Sequence, residues 1–263
     1  MPQLDGPVQF RGGGFAPRDR VWASAATLLG LVALWQVGAS AGLIKSLFLP
    51  PPAAIAVALW HLTVSGELWK HLSASLARLA VGWVLGTVFG IGMGLAVGLW
   101  SALRSPGMAV VAALFPIPKI ALVPLFIIWF GIGEGSKIAT LAFGVFFPTV
   151  IATAGGVDNV PRSLIRMGQS FGLSTTAIVR SIILPGALPA ILSGFRVTTS
   201  IAIVLLVAAE MIGAEQGIGA FVLSAGNLYD TDNLLAGIVV LSVLGLIVAW
   251  VIGMLERALL AWR

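Results

Sequence analysis

Arg78, Lys119 and Glu210 are charged residues that lie within long apolar runs of this sequence. A charge inside a bilayer costs at least ~2.5 kcal/mol, so such a side chain faces a cavity, a partner or the interface. Lys119 follows Pro116 and Pro118, and two interpretations stay open. It attracts an anion along a transport path, or it bonds carbonyl groups that the prolines free, in a span whose limits then differ. Arg78 and Glu210 either form an ion pair at an outer gate or reach the interface separately, which we favour for Arg78.

Two further groups of residues are candidates for chemistry but do not predict a catalytic or metal site. His61 and His71 are separated by ten positions and have no carboxylate cluster near them, so ligand spacing is missing. The stretch GIGEGSK at 131–137 lacks the Gly-Lys-Ser/Thr of a phosphate loop. We therefore expect no catalytic residue, no metal and no bound cofactor on this chain. Any energy source must then be another chain.

The composition is that of an integral membrane protein. The 263 residues are 59% hydrophobic and 10% charged, whereas a soluble domain is about 25% charged. The absence of cysteine excludes disulfides and thiolate metal sites. The formal net charge is +5, but the basic residues are scattered between apolar runs, which indicates membrane orientation rather than nucleic-acid binding.

Six runs are long enough to span a bilayer, which needs about 20 apolar residues. They are 21–44, 74–100, 107–131, 138–157, 190–212 and 233–255. The first is longer than the ~7–15 residues of a signal-peptide core, so we expect it to be an anchor. Residues 1–20 are polar and rich in glycine and proline, and we interpret them as a flexible tail. The segment 53–72, after three prolines, is predicted to be one helix along the membrane surface.

The distribution of lysine and arginine predicts cytoplasmic N and C termini. With this orientation, three of these residues lie outside, namely Lys45, Lys70 and Lys137. Ten lie inside: Arg11, Arg18, Arg20, Arg104, Arg162, Arg166, Arg180, Arg196, Arg257 and Arg263. The segment 158–189 is then a cytoplasmic loop.

This loop is too polar to cross the membrane and too apolar for a simple linker. We predict two short helices, 160–171 and 174–183, which are separated at Gly172 and end at Pro185. Ser174 caps the second helix. Apolar faces on both helices require a protein partner on the cytoplasmic side; they consist of Leu164, Phe171, Ile178, Ile182 and Ile183.

The loop resembles the cytoplasmic signature of ATP-binding-cassette (ABC) importer permeases. That signature is EAA, three residues, Gly, nine residues, then Ile-x-Leu-Pro. It falls here on Arg166-Met167-Gly168, Gly172, Ile182, Leu184 and Pro185, and only the EAA triplet departs from it. Further stretches resemble the branch that carries taurine, aliphatic sulfonates, nitrate and bicarbonate. They are LFLPPP (47–52), GELWKHLSASLARL (66–79), ALVPLFIIWFGIGEGSKI (121–138), ILPGALPAILSGFRV (183–197) and AAEMIGAEQGIG (208–219).

The resemblance implies an all-α, type I (MetI-like) permease fold with six transmembrane helices over 21–263, in the cell inner membrane. It implies import of a small anion, best a sulfonate or taurine, by ATP-driven alternating access. The implied partners are two ATPase subunits, an external binding protein, a second permease copy and membrane lipid, but no nucleic acid. The implied ATPase-coupling residues are Arg166, Phe171, Gly172, Leu173, Ser174, Arg180, Ile182, Leu184 and Pro185. A gradient-driven transporter or channel is the alternative, although we find no internal repeat.

Two polar or small-residue patterns within the spans each allow two interpretations. Thr198, Thr199 and Ser200 line the transport path, or their hydroxyls bond their own helix backbone. Glycines at 82, 86, 90, 94 and 98 mark a sliding or subunit contact, or they allow plain packing of two helices, which we favour.

Overall fold

The computed structural model describes residues 21–261, so the predicted tail 1–20 lies outside the described residues. The chain divides into two compact units, Met1–Ala56 and Val57–Arg263. In the first unit, α1 (Val21–Ser40) is followed by an irregular stretch, and α2 (Pro52–Val64) then begins and continues into the second unit. The Gln36 side chain accepts a hydrogen bond from the Ala53 amide at 3.0 Å, which satisfies one free amide at the start of α2.

Every regular element among the described residues of the second unit is helical. After α2, the α-helices are α3 (Glu67–Leu99), α4 (Ser101–Leu114), α5 (Val123–Phe130), α6 (Glu134–Asp158), α7 (Arg162–Ser170), α8 (Thr175–Ile178), α9 (Leu184–Gly213), α10 (Ile218–Asn227) and α11 (Thr231–Leu259). A 3₁₀ turn, Lys119–Leu122, precedes α5, and a π-helical segment, Val179–Ile183, joins α8 to α9.

Five helices among the described residues have the length and hydropathy of a membrane span. They lie in α1, α3, α6, α11 and the continuous helical stretch Thr175–Gly213. A sixth candidate is a bent pair, in which Ser101–Leu114 and Lys119–Phe130 meet at 87°. The prediction of a single span over 107–131 therefore needs correction. Pro116 and Pro118 fall at the bend, where each lacks an amide that a continuous helix would use.

Lys119 opens the 3₁₀ turn immediately after this bend and is half-buried. Its ammonium donates to the carbonyl of Phe115. The same nitrogen lies 4.8 Å from the ring centroid of Phe115 and 5.7 Å from that of Phe147, within cation–π range. The structure thus shows Lys119 bonded to a carbonyl group at the proline bend, which is the second of the two interpretations above.

The predicted surface helix over 53–72 is also divided. Helix α2 ends at Val64, and Gly66 adopts a φ of +82°, a backbone conformation that favours glycine. Helix α3 begins at Glu67, so Trp69 belongs to the spanning helix rather than to the preceding one.

The glycine stripe packs α3 against α6 within the chain. A Cβ built on Gly82, Gly86, Gly90, Gly94 or Gly98 would lie only 2.5–2.9 Å from an α6 side chain. The α6 residues that these glycines face also recur every fourth position: Leu141, Val145, Thr149, Thr153 and Val157. Since both series ascend together, the two helices run parallel in close contact along one stripe. The structure confirms the packing interpretation.

Helix α9 completes the core beside this pair. Leu79 of α3, Leu141 and Val145 of α6, and Leu205 and Leu206 of α9 form one buried apolar cluster. The ends of α3, α6 and α9 are therefore held at fixed positions, and both candidate sites lie at those ends.

Candidate functional site

The segment 158–189 contains a sharp turn at Gly172. Helix α7 ends at Ser170, and Gly172 adopts a φ of +72°. The Gly172 amide donates to the Gln169 carbonyl at 2.9 Å, and the Leu173 amide donates to the Gly168 carbonyl at 3.1 Å. This pair of bonds is a Schellman motif, in which a glycine relieves the strain of the left-handed residue. The predicted break at Gly172 is confirmed.

The second half of the loop does not end at Pro185, which corrects the prediction. Ser174 caps α8 as predicted, because its Oγ accepts a hydrogen bond from the Ala177 amide at 3.3 Å. The chain then continues through the π-helical segment into α9, with Pro185 in the first turn of α9. The π-helical segment thus immediately precedes this proline, and the helical stretch is not broken there. Helix α9 is therefore continuous with the second half of the loop.

One face of the loop packs within the chain, and this also corrects the prediction. Ile178 and Ile183 are buried in a cluster with Val157 and Val160, and Ile182 packs against that cluster. They are not free to meet a partner.

Gly168 makes this packing close. A Cβ at this position would lie 2.9 Å from Ile182 Cδ1 and 3.4 Å from Ile178 Cγ1. This glycine therefore lets α7 approach the segment that leads into α9. The close approach accounts for a glycine at the third position of the triplet Arg166-Met167-Gly168, where the family signature has alanine.

An adjoining face of α7 is apolar and exposed. Leu164, Met167 and Phe171 recur at helical spacing, and Leu173 follows beyond the turn. Phe171 has the largest exposed fraction of the four, 78%. We call these four residues the docking face. Sequence analysis named Leu164, Phe171 and Leu173 but missed Met167, whose only signal is its spacing from Leu164 and Phe171. Arg166 and Arg180 are also exposed.

A buried polar network lies at the opposite ends of the core helices and centres on Arg78, which is 4% exposed. One edge of its guanidinium donates to Glu134, with Nε 2.6 Å from Oε2 and Nη2 2.7 Å from Oε1. Nη1 lies 2.8 Å from Glu210 Oε1 and 2.5 Å from the Gln216 carbonyl oxygen. Arg78 thus connects α3, α6, α9 and the turn between α9 and α10. The favoured interpretation of Arg78 as a snorkelling residue is wrong, because its guanidinium is enclosed by these partners.

Glu210 is fully buried and accepts further hydrogen bonds. Ser75 Oγ lies 2.8 Å from Glu210 Oε1, and the Gly219 amide donates to Oε2 at 2.9 Å. Ser75 Oγ also accepts from the Ile218 amide at 2.9 Å. Both oxygens of the carboxylate are therefore engaged, as a charge in this position requires.

Gly217 allows the turn to approach this ion pair. Its φ is +137°, and a built Cβ would lie 2.7 Å from Arg78 Nη1 and closer still to the Glu210 carboxyl group. His71 Nδ1 is 3.1 Å from the Gly217 amide nitrogen. Any side chain at position 217 would displace the carboxylate from the guanidinium.

The remaining predicted path residues do not join the network. Thr198 Oγ1 accepts from Trp83 Nε1 at 3.2 Å and lies 3.1 Å from the Phe195 carbonyl. Ser200 donates to the Arg196 carbonyl at 3.1 Å, which is the backbone-bonding alternative. The hydroxyl of Thr199 is buried and has no hydrogen-bond partner among the described residues.

Three separate stretches named above meet in this network. Ser75 and Arg78 come from 66–79, Glu134 from 121–138, and Glu210, Gly217 and Gly219 from 208–219. Sequence analysis missed Ser75, Glu134 and Gly217 as partners. Two features of the sequence could have indicated them. They lie in stretches that resemble the family, and each buried charge requires an opposite charge nearby.

Residues 86–261 match the family of binding-protein-dependent transport system inner membrane components. The chain belongs to this family. Among its relatives is the taurine transport system permease protein TauC of Escherichia coli K12, which is 38% identical over 93% of this chain and 90% of its own length. Another is the putative aliphatic sulfonates transport permease protein SsuC of Bacillus subtilis 168, 35% identical over 89% of this chain and 84% of its own. The chain is thus an ABC importer permease subunit.

A solved structure supports the fold assignment. The inward-facing MetNI methionine ABC transporter superposes with a TM-score of 0.65 at 21% identity, over 73% of this chain and 97% of the other. At this identity the likeness concerns the fold alone. The predicted all-α, type I (MetI-like) permease fold is confirmed, with the third span bent as described.

Proposed function

We propose that this permease subunit imports a small organic anion, best a sulfonate such as taurine, by ATP-driven alternating access; nitrate and bicarbonate are the other anions considered. The names of the relatives support the sulfonate class. Its ATP and Mg²⁺ are bound by two separate ATPase subunits, and an external binding protein delivers the substrate. A second copy of the permease completes the path across the cell inner membrane.

The observation that carries this proposal is the position of the docking face on a loop that continues directly into helix α9. Four apolar side chains project from α7 and its turn, while the other face of the segment is fixed to α6 and α9 through the Val157–Ile178–Ile183 cluster. Movement of a protein bound to the docking face is therefore transmitted to α9 rather than absorbed in the loop. The positive-inside distribution supports a cytoplasmic position for this face and for both chain ends.

The network around Arg78 then lies at the outer end of the path. The hydrogen bonds of Arg78 link the ends of α3, α6 and α9 that the proposal assigns to the outside. The proposed path residues are Arg78 and Glu210 at this end, and Pro116, Pro118, Lys119, Thr198, Thr199 and Ser200 deeper in the membrane. The proposal requires that an ATPase copurify with the tagged chain in mild detergent.

Replacing Phe171 by serine tests the docking face. Because the side chain is exposed, the chain should fold normally, but the ATPase should bind about thirtyfold more weakly, as for a truncated aromatic anchor worth about 2 kcal/mol. The measurement is the ATPase affinity of the purified chain. Phe48→Ser is the matched control, since Phe48 is 75% exposed on the side predicted to be external. Equal affinity of the native chain and Phe171→Ser would remove the support for this face.

Replacing Gly172 by proline tests the turn. Proline fixes φ near −65°, against the +72° observed, and removes the amide that bonds Gln169. We expect uptake per ATP hydrolysed to fall at least about tenfold, equivalent to about 1.4 kcal/mol. Gly42→Pro is the control, because Gly42 also has a positive φ, +74°, and an amide bond, to Ala39 at 3.2 Å. If both variants lose coupling equally, the effect does not come from the loop.

A further inference from the structure

A polar cavity of about 330 Å³ adjoins the outer face of the Arg78 network. Its charged lining residues are Arg78, Glu134, Lys137 and Glu215, and the rest of the wall comes from Ile132, Gly133, Gly213 and Gln216. This volume is within the range of small-molecule sites, which have a few polar groups that converge on the ligand. Two cationic and two carboxylate side chains line this one.

Lys137 is a buried cation without a charged hydrogen-bond partner. It is 4% exposed, and among the described residues its ammonium makes a single hydrogen bond, 2.9 Å from the Gly133 carbonyl oxygen. An ammonium has three donors, so this bond leaves two of them unused. Lys137 also lies in the first turn of α6, where the helix dipole disfavours a cation. Both features favour an anion in the cavity.

Arg78 has one fixed edge and one exchangeable edge. Its Nη1 is bound to Glu210, which is fully buried and cannot leave. Its outer edge, Nε and Nη2, is bound to Glu134, whose side chain is 59% exposed. The Glu134 end of this pair reaches solvent, and the glycine stripe already holds α3 against α6. Glu134 can therefore turn into solvent without separating the helices.

We propose that this cavity binds a small zwitterion with a sulfonate at one end and an ammonium at the other. Two sulfonate oxygens replace the Glu134 carboxylate on the outer edge of Arg78, the geometry in which guanidinium groups bind oxyanions. The third oxygen accepts from Lys137, a contact that a carboxylate bound in this way lacks. The ammonium pairs with Glu215, which is exposed at the cavity wall. Exchange of one anion for another leaves the charge of the network unchanged.

This inference rests on the proposed function for the choice of sulfonate and deepens it, because it predicts preference for an amino-sulfonate over a simple alkanesulfonate. Glu215 would repel a ligand that carries only negative charge. The test is equilibrium binding of radiolabelled taurine to the full chain in lipid nanodiscs, with ethanesulfonate and β-alanine as competitors. The native chain should bind taurine more tightly than either competitor.

Three variants have distinct expected results. Lys137→Met should weaken taurine binding at least about tenfold, as expected for loss of a charged hydrogen bond. Glu134→Gln should strengthen it, because the competing carboxylate is gone. Glu215→Gln should weaken taurine about tenfold but not ethanesulfonate, so the preference between them disappears. The control is Glu67→Gln, since Glu67 lines a neighbouring cavity and should leave taurine binding unchanged.

The exposed positions of Glu134 and Glu215 keep the test valid even if Lys137→Met does not fold. The inference is overturned if the native chain does not bind taurine, if it prefers ethanesulfonate, or if Glu134→Gln and Glu215→Gln both bind as the native chain does. Copurification of an ATPase is measured separately. If the chain forms an ATPase complex but does not bind taurine, only this inference is overturned. If the chain never binds an ATPase, the proposed function is overturned.

Discussion

Arg78→Met should destabilise the permease by about 3–5 kcal/mol, the usual cost of leaving a buried charge without its partner. The reason is Glu210, whose carboxylate has no exposed surface and would lose its counter-charge. The measurement is the fraction of monodisperse protein after a temperature series in detergent. We expect a markedly lower transition temperature than for the native chain.

Two companion variants separate the buried pair from the exposed one. Glu134→Gln removes only the charge of the exposed partner and should destabilise the permease less than Arg78→Met does, because the buried pair of Arg78 and Glu210 remains. Combining Arg78→Met with Glu210→Gln should recover most of the loss, because the unpaired buried carboxylate is then replaced by a neutral amide that still accepts from Gly219. The explanation fails if the double variant is as unstable as Arg78→Met, or if Arg78→Met is as stable as the native chain.

Gly90→Val should destabilise the α3–α6 contact by about 3 kcal/mol or more, the upper range for overpacking a core. A Cβ at Gly90 would lie 2.6 Å from Thr149 Cβ and 2.9 Å from the Phe146 carbonyl oxygen. The second neighbour is backbone of a spanning helix and cannot move aside alone. The same thermal series measures the effect.

Gly92→Val is the matched control on the same helix. Gly92 is exposed, and a Cβ built there meets no atom within 4 Å. Both variants replace glycine by valine in α3, so they change the helix propensity equally. They differ only in that position 90 faces α6 and position 92 does not. Equal loss of stability at positions 90 and 92 would show that the stripe does not make the contact described.

The spans were predictable from sequence because each consists of a long apolar run, a property of the run alone. Their breaks were less predictable. Pro116 and Pro118 bend the chain, whereas Pro185 is accommodated in a continuous helix. A proline removes the same amide in each case, and the π-helical segment that precedes Pro185 has no local sequence signal.

The Arg78 network shows a similar limit. The sequence identified Arg78 and Glu210 as charges that need a partner, but it left pairing and snorkelling open. Glu134 follows an apolar run and is typical of an interfacial loop residue, so nothing local links it to Arg78. The pairing comes from the parallel packing of α3 and α6, which places the first turn of α6 beside Arg78. The glycine stripe was recognisable in the sequence. The α6 residues that face it were not, because they are a mixture of leucine, valine and threonine with no common property.

Coupling of transport to ATP hydrolysis is tested most directly by taurine uptake into sealed vesicles that contain the chain purified together with its ATPase and supplied with the external binding protein. Uptake should require ATP in the compartment that contains the ATPase, persist when ion gradients are collapsed, and be lost in Gly172→Pro. Uptake by the chain alone, driven by an ion gradient and unaffected by Gly172→Pro, would instead identify a gradient-driven carrier.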